Sequence, residues 1–171
     1  MNLQADDFEL FGLAQQFAQD RMVLDARWKE LQREAHPDKF AAQGAASQRV
    51  ATQWSVRINE AYQRLKDPLR RAAYLCELHG AAINAHSNTA MPASFLMQQM
   101  EWREALEDAS SAAALEALSD EVQAARLQLL QQCEALLDGQ QAYAQAVEPV
   151  RALMFIEKFT QDVNQRFEQF E

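Results

Sequence analysis

The sequence predicts an all-α chain built from two helical domains, and three observations carry that expectation. Only four glycines and four prolines interrupt 171 residues, while the strong helix formers Ala, Leu, Gln and Glu are plentiful. Apolar residues recur three and four positions apart over long stretches, as the buried face of a helix requires. A stretch without any such stripe, residues 80–92, divides the pattern into two groups, and a chain of this length can give each a modest core.

Charge and composition exclude several functions. The net charge of −9 disfavours a general attraction to nucleic acid or to an anionic membrane, so any basic patch must be local. The N-terminal "MNLQADDFEL" lacks the basic-then-apolar pattern of a signal peptide. No run approaches the roughly 18 apolar residues of a membrane span. The expectation is a soluble, cytoplasmic protein that binds neither nucleic acid nor membrane. Cys76 and Cys133 lie far apart with no metal-ligand spacing around them, which argues against a zinc site or a disulfide framework and makes both small buried apolar residues.

Along the chain, the first helical signal is "DDFELFGLAQQFA", residues 6–18, which opens on two N-cap candidates, Asp6 and Asp7, and in which Gly12 can interrupt a short first helix. Asp20 can cap a second helix in which Leu24, Trp28, Leu31 and Ala35 draw one stripe. Pro37 disfavours the α conformation at His36, so that helix should stop near Ala35. A third runs from about Ser47 to Lys66 with Val50, Trp54, Ile58, Ala61 and Leu65 on one face. In "KDP", Asp67 is placed as cap and Pro68 as the first residue of a short fourth helix that Gly80 can terminate. The facing stripes of the second and third helices predict an antiparallel hairpin with "HPDK" at its tip.

Three further helical patterns cover about Pro92–Ala109, Ser111–Leu137 and Gln141–Phe170. In the middle one Leu115, Leu118, Val122, Leu129, Cys133 and Leu136 keep a heptad-like stripe that Asp138-Gly139 closes. Pro149 should either start the regular part of the last helix or kink it. The expected organisation is residues 1–79 as one domain, 80–92 as linker, and 93–171 as a three-helix bundle.

A surface "HPD" is ordinarily a turn, with Asp38 capping, Pro37 setting φ and His36 solvated. Its setting adds weight to a functional reading. Lys29 and Arg33 stand four residues apart on the outward face of the second helix, with Arg27 nearby, in a strongly acidic chain. Like charges at that spacing slightly destabilise a helix, so local stability does not explain them. Interleaved Glu30 and Glu34 keep a mixed solvated face as the alternative.

Taken together, "FELFGL", the basic-faced helix ending in "HPDKF", and "INEAYQRLKDPLRRAAYL" resemble the J-domain over roughly residues 6–76. That module docks on DnaK-type ATPase chaperones and stimulates their ATP hydrolysis. The resemblance implies that His36, Pro37 and Asp38 are the stimulating tripeptide and that Arg27, Lys29, Arg33 and Lys39 supply docking charge. Such roles suit the chemistry: Asp38 can meet an arginine of the partner, Pro37 limits the entropy lost on docking, and His36 can donate or accept. Ala35 departs from the pattern, standing where an aromatic residue commonly precedes the tripeptide. A hydrolase using His36 and Asp38 is the rival reading, and no Ser or Cys nucleophile motif accompanies them.

In the second domain, "SFLMQQMEWREALEDA" is apolar on two faces. Winding at about 100° per residue puts Phe95, Trp102, Leu106 and Ala109 on a core stripe. Leu96, Met97 and Met100 fall toward the opposite face beside Glu101, Glu104 and Asp108, an apolar cluster rimmed by acids that fits a partner surface. The last helix places Leu153, Ile156, Val163 and Phe167 inward and leaves Phe155 pointing away from that centre.

A J-domain followed by this acidic bundle resembles, nearly end to end, the HscB family of bacterial iron–sulfur cluster assembly. The resemblance implies a J-domain hairpin and a three-helix bundle in an L-shaped arrangement. It implies that the bundle binds a scaffold protein of the IscU type through Leu96, Met97, Met100, Glu101, Glu104, Asp108 and Phe155. It further implies that the J-domain presents the scaffold to a specialised chaperone of the HscA type. On this reading the protein has no catalytic residue, metal site or cofactor of its own. The alternative is a J-like helical adaptor without ATPase-stimulating activity.

Overall fold

The structure, a computed structural model, describes residues 2–84 and 91–171. The described residues form helices and turns without a strand, and the chain divides into two compact units, Met1–Leu75 and Cys76–Glu171. The division falls earlier than the linker expected at 80–92, of which residues 85–90 lie outside the described part. Part of that stretch belongs to the second unit: Ile83 is buried and its carbonyl accepts from Arg151 Nε.

In the first unit α1 (Asp7–Phe11) is capped by Asp6, whose carboxylate accepts from the Glu9 amide, and ends at Gly12 with a left-handed φ of 64°. α2 (Arg21–Glu34) is capped by Asp20 through the Met22 amide. A 3₁₀ turn, Pro37–Gln43, comes next, and α3 (Ala45–Lys66) runs back along α2. Asp25 with Tyr62, Trp28 stacked on Tyr62, and Ser55 with Ala35 fix the pair as an antiparallel hairpin. Asp67 caps α4 (Pro68–Leu78) through the Leu69 amide, and Gly80, at φ 78°, ends it.

Two expectations change here. Asp7 is no cap. It is fully buried, held by Arg57 Nη1 at 2.7 Å and by a two-pronged contact with Arg64, while its own amide donates to Tyr74 Oη. Val50, expected on the buried stripe, is 51% exposed, and Ala51 takes the inward position. The first turns of α3 lie beside the 3₁₀ turn rather than along α2, so the facing surface shifts by one residue.

The second unit contains α5 (Ala93–Asp108), α6 (Ala112–Glu134) and α7 (Tyr143–Glu168). Ser111 caps α6 by accepting from the Ala114 amide. Trp102, Leu118, Val122, Ile156, Phe159 and Val163 make the central core, with Phe95, Leu106, Leu129, Phe155 and Phe167 packed partly buried around it. At the end of α6 a π-helical turn, Ala135–Gly139, widens the helix. The extra residue per turn moves the phase, so Leu137 is buried in place of the expected Leu136. α7 runs through Pro149, whose ring is buried among neighbours that offset part of the lost hydrogen bond. Cys76 and Cys133 are buried thiols, as expected, and burial raises them to about 11 and about 12, so both stay protonated near neutral pH. Among the described residues no helix is long and apolar enough to cross a membrane.

Candidate functional site

Two surfaces gather the residues singled out above. The first is the hairpin tip. His36 precedes the 3₁₀ turn in an extended conformation (φ −64°, ψ 128°), as the residue before a proline prefers, and Pro37 occupies the first position of the turn. The Asp38 amide donates to His36 Nδ1 at 3.2 Å and the Lys39 amide donates to the His36 carbonyl at 3.0 Å. The Asp38 side chain is 92% exposed and that of His36 57%. The backbone is therefore ordered by local bonds while both functional groups face outward.

A shallow surface depression lined by Gln32, Arg33, His36 and Lys39 joins the outward face of α2 to the turn. Lys29 and Arg33 are exposed and form no salt bridge among the described residues. Arg27 behaves differently: Nε donates to the Phe11 carbonyl at 2.9 Å and Nη1 pairs with Glu30 at 2.6 Å. Its charge is already engaged in tying the end of α1 to α2, a use that charge spacing alone does not reveal.

The second surface lies on α5. Met97 is 62% and Met100 70% exposed, Glu101, Glu104 and Asp108 are exposed beside them, and Leu96 is half-buried. They occupy the side of the helix away from Trp102, as the winding predicts. Phe155 corrects the expectation that it points away from the core. It is half-buried and stacks on Trp102 and Phe159, with Phe95 edge-on at 5.8 Å and Arg103 over its ring at 5.4 Å. Four clustered rings bury more apolar area than a solvated Phe155 could, and their offset geometry adds to that. Phe95 lies at the core as its stripe predicts, whereas Arg103, which covers the Phe155 ring, escaped the sequence reading. No group of three His, Cys, Asp or Glu able to hold a metal ion occurs among the described residues.

Comparison with known proteins gives these surfaces a context. The HSCB C-terminal oligomerisation domain family matches residues 91–164, the segment that contains α5, α6 and most of α7. The co-chaperone protein HscB homologue of Burkholderia thailandensis is 47% identical over 174 aligned residues, covering 100% of this chain and 99% of the relative. The chain belongs to the HscB family of co-chaperones. The homologue of Bordetella pertussis is 48% identical, with 95% of this chain and 96% of the relative aligned. Among solved structures, chaperone HscB from Vibrio cholerae superposes with a TM-score of 0.86 at 38% identity, covering 98% of this chain and 100% of that one. Human co-chaperone HscB superposes at 0.92 with 26% identity, covering 97% and 84%. In family terms the first unit is the J-domain and the second the C-terminal helical bundle.

Proposed function

We propose that this co-chaperone binds an iron–sulfur scaffold protein of the IscU type and delivers it to a DnaK-like chaperone of the HscA type, whose ATP hydrolysis it stimulates. The observation that carries the reading is the Asp38 carboxylate, 92% exposed on a turn whose backbone is already folded. A charged group presented this way can meet an arginine of the chaperone with little further ordering of the loop. His36 and Pro37 complete the contact, while Lys29, Arg33 and Lys39 steer an acidic partner surface toward it, with Arg27 in a lesser share.

The scaffold docks on Met97, Met100 and Leu96, where flexible thioethers adapt to a partner without a preformed pocket. Glu101, Glu104 and Asp108 select a basic partner rim, and Phe155 adds the part of its ring that its stacking on Trp102 and Phe159 leaves exposed. The protein works in the cytoplasm and performs no chemistry itself; the hydrolysed bond belongs to the chaperone. A single-turnover ATPase assay with chaperone, scaffold and this protein tests the coupling. The combination should exceed the sum of the two separate stimulations. A rate unchanged by this protein, with and without scaffold, would leave only a helical adaptor.

A further inference from the structure

Ser55 sits in the middle of α3, where a serine hydroxyl ordinarily bonds back to the carbonyl four residues earlier. Thr52, one turn away, does so, its hydroxyl donating to the Gln48 carbonyl at 2.9 Å. Ser55 instead crosses the hairpin and donates to the Ala35 carbonyl at 3.1 Å. That carbonyl is one of the orphan acceptors at the C-terminus of α2, and its peptide leads directly into His36. Pro37 has a locked φ, and the hydrogen bonds within the turn hold Asp38 and Lys39 against His36. The remaining freedom that aims Asp38 lies at the junction of Ala35 and His36.

Ala35 is buried, but the packing beside that junction is open. Beneath it, between the end of α2, the 3₁₀ turn and the start of α3, lies an open and mainly apolar cavity of about 390 Å³. Ala35, Phe40, Ala46, Val50, Ala51 and Trp54 line it. Two hydrogen bonds join α2 to α3 at Ser55, the hydroxyl donating to the Ala35 carbonyl and Gln32 Nε2 donating to the Ser55 carbonyl at 3.5 Å, and of these the first acts on the peptide that leads into His36.

We propose that Ser55 is a positioning residue for the His36-Pro37-Asp38 turn, acting through the Ala35 carbonyl. The inference rests on the function proposed above. Its test is an ATPase titration of a DnaK-type chaperone with the full chain and the variants S55A, S55T, T52A, D38N and S55A combined with A35F. Alanine is the better helix former and Ser55 is only half-buried, so S55A should fold.

S55A should raise the half-saturating concentration about threefold to tenfold, the worth of one hydrogen bond, with maximal stimulation kept because Asp38 is intact. S55T and T52A should match wild type, and A35F, by filling the cavity, should recover most of the loss in S55A. Without any chaperone, S55A should shift the backbone amide resonances of Asp38 and Lys39, and T52A should not. Wild-type titration by S55A while D38N abolishes stimulation, unmoved amide resonances, or S55T as impaired as S55A would each overturn the assignment. An unaffected D38N would instead remove the proposed function beneath it, whatever S55A did to the amide resonances.

Discussion

Asp7 and Asp38 are both carboxylates in the first turn of a short helical segment of the J-domain, and their surroundings are opposite. Asp7 has no exposure and is held between Arg57 and Arg64. Asp38 is 92% exposed, with the His36 ring 3.7 Å away. A buried carboxylate is retained only where paired groups offset its desolvation, so its role is structural. An exposed one contributes little to stability, so the role proposed for Asp38 lies in what it presents to a partner. The same division separates Trp102, at the centre of the bundle core, from Met97 and Met100 on the opposite side of the same helix.

Four variants sharpen this contrast. The largest stability effect is expected for Asp7→Asn, which leaves two guanidinium groups facing each other in a buried site and should cost about 3 to 5 kcal/mol. Urea denaturation of the J-domain followed by tryptophan fluorescence reads it, and an unchanged midpoint would make Asp7 equivalent to Asp38. In the bundle, Leu118→Ala opens a cavity in the central core and should cost about 2 to 5 kcal/mol by the same method.

Reversing Lys29 and Arg33 to Glu should scarcely move the melting temperature, because both side chains are exposed. Association with the chaperone should slow, and wild-type binding should weaken as salt rises. Stopped-flow binding that is insensitive to salt would reduce the basic face to a solvated one. The smallest stability change, within about 0.5 kcal/mol, is expected for Met97 and Met100 replaced together by Ala. Calorimetry should nevertheless show a loss of scaffold binding. Phe155→Ala is a poorer probe of that surface, since removing its ring also disturbs Trp102 and Phe159.

What the sequence made legible was decided locally. Asp20, Asp67-Pro68, Gly12 and Gly80 mark helix ends because each acts on its own neighbours, and the hairpin with its exposed "HPDK" tip could be read from them. What it concealed depends on distant residues. The role of Asp7 is set by Arg57 and Arg64, some fifty residues away. Arg27 and Lys29 have similar charges in sequence, yet the Phe11 carbonyl captures only Arg27. Leu136 and Leu137 exchange places because of a π turn that no periodicity announces. Phe155 turned inward because three other rings were there to receive it.

Asp38 is proposed to act on a partner and not on its own fold. Asp38→Asn preserves shape and removes charge, so measuring chaperone ATPase stimulation beside the thermal melt of the same preparation addresses it directly. Stimulation should fall to the level of chaperone alone while the melting temperature stays within about 1 °C, as for an exposed side chain without a structural partner. Full stimulation by the Asn variant, or a loss that tracks unfolding, would rule out a partner role for the Asp38 carboxylate.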